Sequence, residues 1–327
     1  MSIVITGAAG FIGFHLSRHL LRKGYTVAGV DNLNDYYDTG LKRGRLQLLS
    51  DSSSFTFHQA DVTDLNAVAR VLEQHSADTV IHLAAQAGVR HSLTHPEQYV
   101  SSNLQGFSTM IEASRLQRVK HFIYASSSSV YGNRPGTPFS VEDRTDRPAS
   151  LYAATKKANE LIAHAYSSSF GLPTTGMRFF TVYGPWGRPD MAYFKFTKSI
   201  LLGEPITVYN YGKSKRDFTY VDDVILGIEK VLSHPPSATV DKPVPAAIYN
   251  FGNSKPVELL RFIQILERLL GKEAILKLDV MPAGDVADTF ADISLTRQEL
   301  GFEPSTGLET GLSHFVNWYK EYYKVTL

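Results

Sequence analysis

The chain has 327 residues, of which 43% are hydrophobic and 20% are charged, and its formal net charge at pH 7 is +1. This composition is typical of a globular protein, and the nearly neutral charge argues against nucleic acid or an acidic membrane surface as a partner. The sequence has no cysteine, which excludes disulfides, thiolate metal sites and a cysteine nucleophile. We expect a cytoplasmic protein, because the N-terminus MSIVITGAAG lacks the basic segment of a signal peptide and no apolar run approaches ~18 residues.

Short β-branched runs alternate with longer helical stretches through the first half of the chain. In chain order, the pattern predicts a strand near residues 4–5, a helix over 11–23, strands over 25–31 and 55–59, a helix over 65–75, a strand over 79–83, a helix over 96–116, a strand over 121–125, a helix over 151–169 and a strand over 173–179. This rhythm predicts the α/β fold class, with a parallel sheet covered by helices on both faces.

The second half is less regular. It predicts helices over 192–202, 222–232, 258–270 and 308–323, a loop at 185–189 and a turn at 209–212. We place a domain boundary near residue 180. Residues 1–180 would form one domain and 181–327 a smaller one, with part of 217–250 returning to the first.

A glycine-rich turn, GAAGFIG at residues 7–13, follows the first strand and precedes the first helix. Such a turn lets backbone N–H groups approach a pyrophosphate at the helix N-terminus. Asp31 ends the next strand, where a carboxylate suits the ribose hydroxyls of NAD and repels the extra phosphate of NADP. The turn alone also fits an ordinary strand–helix connection, but together with Asp31 it predicts dinucleotide binding.

The ends of two later strands fit the same site. Asp61 and Val62 follow the third strand, and Ala84 and Ala85 follow the fourth. Ligands in open α/β sheets bind at the carboxyl ends of strands, so these residues are expected at the dinucleotide. Asp61 has a second interpretation as the N-cap of the next helix.

A YxxxK motif formed by Tyr152 and Lys156 begins a predicted helix, so the two side chains share one helix face. A nearby ammonium lowers the pKa of a phenol, and this predicts Tyr152 as a base near neutral pH. The same motif recurs at Tyr209 and Tyr211, within a predicted turn where the helical spacing fails. Those two matches are expected to be fortuitous or at the surface.

Several stretches together resemble a known family: GAAGFIG, HLAAQ, Asn103 in NLQG, SSSSVYG, YAATK and RDFTYVDDV. With these, nearly the whole chain resembles the extended short-chain dehydrogenase/reductases, and among them the nucleotide-sugar epimerases. DNLNDYYDTGLKRGRL, AAQAGVRHS and RFFTVYGPWGRPDMA are similar to the UDP-glucuronate 4-epimerases. The resemblance implies a Rossmann-type doubly wound parallel sheet, a smaller C-terminal α/β domain that binds the sugar nucleotide, tightly held NAD and a homodimer. The residues expected to bind NAD are Gly7, Gly10, Phe11, Ile12, Gly13, Asp31, Asn32, Asp61, Val62, Leu83, Ala84, Ala85, Asn103, Tyr152 and Lys156.

The resemblance also implies a mechanism. Tyr152 would take the proton of the sugar 4-hydroxyl while C4 gives a hydride to NAD⁺, and the 4-keto sugar would present its other face before both return. Ser127 would hold the 4-oxygen beside Tyr152. Arg188 and Arg216 are expected at the diphosphate and Asp285 at the uridine ribose, while each arginine also fits a surface cation.

The run ASSSSVYG places Ser128 and Ser129 where related dehydratases carry acids and related decarboxylases usually carry a glutamate. Hydroxyls donate hydrogen bonds to a carboxylate without repelling it, so we expect Ser128, Ser129 and Thr181 to hold the C6 carboxylate of glucuronate. Ser126 is expected to be structural. Arg90 fits either the substrate or a structural ion pair.

No metal site is expected, because His91 and His95 lack a carboxylate partner and read as ordinary surface histidines. Two other functions remain open from the sequence. One is another sugar-nucleotide enzyme of the same fold, namely a neutral-sugar epimerase, a decarboxylase or a reductase. The other is a dinucleotide sensor without catalysis, against which the combination of Tyr152, Lys156 and Ser127 argues.

Overall fold

The computed structural model describes residues 1–282, 286 and 288–325. In chain order its strands are β1 Ser2–Thr6, β2 Thr26–Asp31, β3 Phe55–Gln59, β4 Thr79–His82, β5 His121–Ser127, β6 Thr174–Phe179, β7 Thr181–Tyr183, β8 Ile206–Tyr209, β9 Lys215–Tyr220, β10 Ala246–Phe251, β11 Pro256–Glu258 and β12 Leu276–Asp279. The helices are α1 Phe11–Arg22, α2 Thr39–Ser50, α3 Leu65–Gln74, α4 His91–Thr94, α5 Pro96–Tyr99, α6 Gly106–Leu116, α7 Leu151–Phe170, α8 Ala192–Leu202, α9 Val221–Leu232, α10 Leu259–Leu270, α11 Ser294–Leu300 and α12 Leu308–Tyr322.

A parallel sheet of seven strands, in the order β10-β6-β5-β4-β1-β2-β3, forms the larger part of the fold. The chain moves outward from β1 in one direction and then from β4 in the other, which is the doubly wound arrangement predicted from the sequence. Such an order leaves a crevice between β1 and β4 at their carboxyl ends, where ligands of these sheets bind. The edge strand β10 lies beside β6, so part of the second half of the chain completes this sheet.

Helices cover both faces of the sheet because alternate strand residues face opposite sides. In β1, Ile3 and Ile5 join the core that reaches α1 and α9, whereas Val4 joins the core beneath α3 and α6. The three side chains are fully buried. Among the described residues, no helix is both long and apolar enough to cross a membrane.

The smaller part of the fold packs on the carboxyl ends of the large sheet. It contains a three-stranded sheet, β11-β9-β7, and a pair of parallel strands, β12 and β8. Helix α10 packs between α8 and α12 beside these strands. One continuous apolar core runs from the large sheet into this part, and the domain division at residue 180 stays a prediction.

Several elements differ from the sequence-based expectation, and strands β7 to β12 and helix α11 were not predicted. The helix predicted over 96–116 is divided into α5, a π-helical stretch at Val100–Gln105 and α6. The helix α2 was not predicted, because its buried face carries Lys42 and Arg45 and it contains two glycines, which hides the apolar repeat of a helix.

Candidate active site

A cavity of about 1340 Å³ opens at the carboxyl ends of the large sheet. Gly7 after β1, Asp31 at the end of β2, Leu83 after β4 and Ser127 at the end of β5 all line it. Residues of α8, β8 and β9 form its other side. Because cavities for drug-sized ligands measure ~300–1,000 Å³, this one has room for a dinucleotide and a second ligand.

Most of the residues singled out from the sequence meet in this cavity. Its lining includes Gly7, Gly10, Phe11, Ile12, Gly13, Asp31, Asn32, Val62, Leu83, Ala84, Ala85, Arg90, Ser127, Ser128, Ser129, Tyr152, Lys156, Thr181, Arg188 and Arg216. Asp61 and Asn103 are not part of the lining, and Asp285 lies outside the described residues. The role assigned to each residue stays a prediction, and the structure adds that these residues share one cavity.

The glycine-rich turn after β1 has the shape needed to hold a pyrophosphate. Gly7 has a φ of 70°, and a Cβ there would lie 2.8 Å from the Ala84 nitrogen. A Cβ on Gly13 would overlap the Gly7 carbonyl oxygen. Gly10 is the N-cap of α1 and provides no side-chain cap, so the first N–H groups of α1 are available to an anion in the cavity. These features fit a dinucleotide.

Asp31 is held in place by the backbone at the end of β2. Its Oδ2 accepts a hydrogen bond from the Ala9 N–H (3.2 Å) and its Oδ1 accepts one from the Leu33 N–H (2.9 Å). A carboxylate has about four acceptor positions, so two of them remain for ribose hydroxyls. Lys42, which sequence reasoning missed, also lines the cavity and donates to the Asn34 carbonyl (2.7 Å). Burial lowers the pKa of Lys42, and the charge of Asp31 opposes that change.

Asp61 is exposed and binds its own loop. It accepts hydrogen bonds from the Thr63 N–H (2.9 Å) and hydroxyl (2.7 Å) and from the Asn32 amide (2.8 Å). The N-cap of α3 is instead Asp64, whose side chain accepts from the Ala67 N–H. The capping interpretation of Asp61 is therefore wrong. The observed contacts orient Asn32, which lines the cavity.

Asn103 lies in the π-helical stretch, where its side chain is 2% exposed. Its Oδ1 accepts from the Gln86 N–H (2.8 Å), and its Nδ2 donates to the Gln86 carbonyl (3.0 Å) and the Thr155 hydroxyl (3.0 Å). These three hydrogen bonds use both donor positions of the amide and one of the two acceptor positions of its oxygen. Asn103 therefore positions the loop after β4 against α7, and its expected contact with NAD stays a prediction.

Helix α7 brings Tyr152 and Lys156 to the cavity. The Ser150 side chain caps the helix by accepting from the Ala153 N–H (3.2 Å), which places Tyr152 in its first turn. Lys156 follows one turn later on the same face and donates through Nζ to the Ala125 carbonyl at 2.9 Å. Ser127 lies close enough to Tyr152 for its hydroxyl to lower the pKa of the phenol. The predicted catalytic trio is thus assembled where β5 ends.

The expected effect of Lys156 on Tyr152 is not observed. Burial raises the pKa of Tyr152, while the Ser127 hydroxyl and the positive charge of Arg188 act in the opposite direction. Burial also lowers the pKa of Lys156 to about 8. Spacing alone places Lys156 near the phenol, but its ammonium is directed to the Ala125 carbonyl. The residues of this chain that favour the phenolate are therefore Ser127 and Arg188.

The other two YxxxK matches lie in non-helical backbone, as predicted. Asn210–Gly212 is a short 3₁₀ turn in which Asn210 and Tyr211 both have a φ of 52°. An i,i+4 pair on one helix face cannot form there.

The serine run bends away from the sheet at Ser127. Strand β5 ends at this residue, and Ser128–Tyr131 form a 3₁₀ turn that Ser127 caps by accepting from the Ser129 N–H (3.2 Å). The Ser127 hydroxyl donates to the Ser129 hydroxyl at 3.0 Å. Ser128 and Ser129 are half-buried and line the cavity, so both present hydroxyls to a ligand.

Ser126 faces the interior. Its hydroxyl donates to Glu160 Oε1 at 2.7 Å, and both Glu160 oxygens accept hydrogen bonds from Arg178 (2.8 and 2.9 Å). Although burial opposes it, the Arg178 guanidinium holds the pKa of Glu160 below its usual value. The contacts agree with the structural role expected for Ser126. Sequence reasoning missed the Glu160–Arg178 pair.

Arg188 lies close enough to Tyr152 for its charge to act on the phenol. Its guanidinium binds Asp190 with both Nε (3.0 Å) and Nη2 (2.5 Å), and Asp190 also accepts a hydrogen bond from the Tyr36 hydroxyl (3.3 Å). Thr181, at the start of β7, lines the same cavity. The predicted role of Arg188 at a diphosphate stays a prediction. Asp190 and Tyr36 were missed, because nothing in their spacing links the two loops that carry them.

Arg90 and Arg216 line the cavity through different local contacts. The Arg90 guanidinium lies over the Tyr209 ring, 4.3 Å from its centre. Arg216 donates to the carbonyls of Lys215 (3.1 Å) and Val286 (2.6 Å). Arginine suits anion recognition, and both positions are compatible with a phosphate-bearing ligand.

His91 and His95 stack with ring centres 4.1 Å apart, and His91 also packs edge-on against Tyr36. Across the described ranges, no set of three or more His, Cys, Asp or Glu side chains is arranged to hold a metal ion. The pair is an aromatic contact at the rim of the cavity.

Comparisons with known proteins point in one direction. Residues 3–252 match the model of the NAD dependent epimerase/dehydratase family. The chain is 46% identical to Protein CapI of Staphylococcus aureus over 99% of this chain and 100% of that protein. It is 48% identical to UDP-glucuronate 4-epimerase 2 of Arabidopsis thaliana, over 99% of this chain and 77% of the relative. The crystal structure of UDP-glucuronic acid 4-epimerase from Bacillus cereus, in complex with UDP-glucuronic acid and NAD, is similar with a TM-score of 0.91, 35% identity and coverage of 99% and 100%.

Proposed function

The chain belongs to the NAD-dependent epimerase/dehydratase family, and we propose that it converts UDP-glucuronate to UDP-galacturonate by inverting C4, with NAD as its cofactor. The observation that carries the proposal is the arrangement at the end of β5. Tyr152 and Ser127 line the cavity of the glycine-rich turn close to each other, and the turn that follows contributes Ser128 and Ser129 to the same lining.

In this mechanism, the chain handles protons and orientation. Bound NAD⁺ supplies the hydride acceptor for C4 and later the hydride donor for the opposite face of C4. The Tyr152 phenolate accepts the proton of the sugar 4-hydroxyl as the C4–H bond breaks, leaving a 4-keto sugar. Tyr152 returns the proton to the 4-oxygen after the sugar has presented its other face, so the enzyme ends unchanged.

Ser127 and Arg188 assist Tyr152. The Ser127 hydroxyl lies close to the phenol and holds the 4-oxygen, and its proximity lowers the pKa of Tyr152. The Arg188 charge acts in the same sense. Burial and the negative charge of Asp190 raise the pKa of Tyr152, and Ser127 and Arg188 oppose that rise.

The hydroxyls of Ser128, Ser129 and Thr181 recognise the sugar carboxylate. All three line the cavity and are half-buried. A hydroxyl donates a hydrogen bond to a carboxylate without adding negative charge to the site. A 4-keto uronic acid is a β-keto acid and loses CO₂ when the carboxylate bond aligns with the carbonyl π-system. A carboxylate fixed by several donors is held out of that alignment, which favours inversion over decarboxylation.

The alternatives of the same fold would need other residues. Dehydration and decarboxylation use acid–base groups where this chain has Ser128 and Ser129, and an aliphatic hydroxyl is too weak an acid to replace them. The structure places no carboxylate of the described residues in that turn; the nearby Glu160 is bound to Arg178 behind Ser126. The C6 hydroxyl of a neutral sugar accepts fewer hydrogen bonds than a carboxylate, so three donors at C6 suit the acid sugar better.

Product analysis tests the proposal. Purified protein is incubated with UDP-glucuronate, and the sugar nucleotides are separated by chromatography. We expect UDP-galacturonate in equilibrium with the substrate. A UDP-pentose or a released 4-keto sugar as the main product indicates another sugar-nucleotide enzyme of the same fold, and no turnover indicates a dinucleotide sensor.

The carboxylate-binding role is tested with a double variant, Ser128→Ala with Thr181→Ala. We expect slower epimerisation and a larger share of UDP-pentose, because the carboxylate loses two donors. Ser233→Ala, at an exposed serine after α9, is the matched control and should behave like the wild type. If the double variant leaves both the rate and the pentose share unchanged, the hydroxyls do not hold the carboxylate.

We also propose that the protein works in the cytoplasm as a homodimer formed through the helices around 96–116 and 151–169. Exposed apolar side chains on these helices support the dimer: Val100 (48% exposed), Leu116 (53%), Leu161 (61%) and Phe170 (55%). Light scattering measures the mass in solution. Leu161→Glu should shift a dimer toward the monomer, because it places a charge in the buried contact.

A further inference from the structure

Arg45 is fully buried in α2 and connects three loops at the cavity. Its Nη1 donates to the Ala9 carbonyl (2.8 Å) and the Tyr37 hydroxyl (2.8 Å). Its Nη2 donates to the carbonyls of Trp186 (2.6 Å) and Gly187 (3.2 Å). Ala9 belongs to the glycine-rich turn, and Gly187 directly precedes Arg188. One guanidinium therefore joins the dinucleotide turn to the loop that carries Arg188.

The charge of Arg45 makes this arrangement costly. A guanidinium stays protonated in proteins, and a buried charge normally has an oppositely charged partner. Within the described part of the chain, no carboxylate pairs with Arg45, and its Nε is buried without a hydrogen-bond partner. Stability alone is a poor explanation for such a group. Its rigid planar fork is, in contrast, well suited to hold carbonyl groups at fixed separations.

A second side chain holds the same loop from the dinucleotide side. His15 of α1 binds the Pro185 carbonyl through Nε2 at 2.9 Å. Because a carbonyl only accepts, this nitrogen carries the proton. Pro185, Trp186 and Gly187 thus present three consecutive carbonyls to side chains that flank the glycine-rich turn. Trp186 also packs on Phe14 of α1, with ring centres 5.7 Å apart.

We propose that Arg45 is a positioning residue that couples dinucleotide binding to sugar-nucleotide binding. A dinucleotide fixes the turn at Ala9, Arg45 transmits that order to Gly187, and Arg188 is then held ready for the second ligand. A segment that the first ligand has already ordered costs the second ligand less conformational entropy. By linkage, each ligand tightens the binding of the other by the same factor. The inference rests on the proposed function, because it takes UDP-sugar as the second ligand.

The coupling is measured without turnover. The dissociation constant of NAD is determined by equilibrium dialysis with and without saturating UDP, which occupies the nucleotide part of the second site. The ratio of the two constants is the coupling factor. For the wild type we expect about 5–150-fold, the range of typical couplings. Failure of UDP to bind the wild type at all would contradict the proposed function; UDP binding with a ratio near one would contradict only the coupling.

Two variants and a control locate the coupling in Arg45. Arg45→Met removes the fork, and its ratio should fall to within twofold of one. Arg45→Lys keeps the charge but not the planar fork, and its ratio should lie in between. Arg43→Met, at an exposed arginine of the same helix, should keep the wild-type ratio.

Folding of each variant is checked by circular dichroism and thermal unfolding. A folded Arg45→Met protein that retains the wild-type ratio overturns the proposal. If Arg45→Met does not fold, the ratio of NAD dissociation constants is measured for Arg45→Lys instead. A wild-type ratio in that variant also overturns the proposal. A ratio that falls in Arg43→Met as much as in the Arg45 variants also overturns it, because the effect would then belong to α2 in general.

Discussion

Glu160→Gln should destabilise the protein by about 3 kcal/mol, at the low end of the cost of breaking one side of a buried ion pair. The side chains of Arg178 and Glu160 are only 3% and 1% exposed, so the substitution leaves a guanidinium buried without its countercharge. Gln keeps an oxygen for the Ser126 hydroxyl, which limits the loss. For 327 residues, an unfolding entropy of about 2.1 cal/mol/K per residue sums to about 0.7 kcal/mol/K. The expected decrease in Tm is therefore about 4 °C.

Thermal unfolding of both proteins at one NAD concentration measures this effect, because bound ligand itself raises Tm. Asp146→Asn is the control: it breaks the Arg144–Asp146 pair, whose side chains are 87% and 54% exposed, and should change stability by less than about 1 kcal/mol. Adding Arg178→Met to Glu160→Gln should destabilise less than the sum of the single changes. The reasoning is refuted if Glu160→Gln resembles Asp146→Asn, or if the double variant shows full additivity.

Three further outcomes follow from the site and its charges. Tyr152→Phe should lower kcat by about 10²–10⁴-fold while NAD stays bound. A decrease of less than tenfold in the product assay would show that Tyr152 does not transfer the proton. Asp31→Ser should weaken the binding of NAD and strengthen the binding of NADP. Equilibrium dialysis with each cofactor measures both affinities, and an unchanged preference for NAD would contradict the prediction. Burial lowers the pKa of His15 and of His121 to about 4, so the folded state keeps both neutral while the unfolded chain protonates them near ~6.5. The unfolded state then binds more protons, so the unfolding free energy should fall as the pH decreases from ~6.5 to ~4, by on the order of 2 kcal/mol per histidine at pH 5. Urea midpoints measured across this range test the prediction. The decline in His121→Asn should be smaller than in the wild type.

Local patterns predicted the parts of the fold that depend on local chemistry. The alternation of Ile3, Val4 and Ile5 reflects a strand buried on both faces, and such runs located six of the seven strands of the large sheet, whereas β10 was missed. The YxxxK spacing placed Tyr152 and Lys156 on one face of α7 because helix geometry is regular. Their surroundings depend on other elements. Lys156 binds the Ala125 carbonyl of β5, a partner that no spacing within α7 reveals.

Elements whose buried faces carry polar groups were harder to predict. Helix α2 buries Lys42 and Arg45 together with leucines, so polar residues interrupt the apolar stripe by which a helix is usually recognised. The role of Asn103 was hard to predict for a similar reason, because its hydrogen bonds to Gln86 and Thr155 join three segments that are distant in the sequence. Polar residues of this kind are useful to the site because they fix loops relative to each other, and for the same reason they leave no local signal.

Ser126→Ala connects this buried framework to the reaction. Ser126 directly precedes the hydroxyls that face the substrate, and its hydrogen bond to Glu160 fixes that end of β5. Losing a hydrogen bond to a charged group costs about 1.5–3 kcal/mol, and the serine turn should become less well positioned. We therefore expect a larger share of UDP-pentose from UDP-glucuronate, because the carboxylate of the 4-keto sugar is held less firmly.

Ser114→Ala is the matched control for this change, since Ser114 is also fully buried but donates to the Met110 carbonyl within α6. Both variants remove one buried hydroxyl, so a difference in product ratio between them reports position rather than stability. If the two proteins form the same share of UDP-pentose, the Ser126–Glu160 bond supports only the fold. If only Ser126→Ala raises that share, the precision of the hydroxyl set, and not merely its chemistry, determines which reaction the 4-keto sugar undergoes.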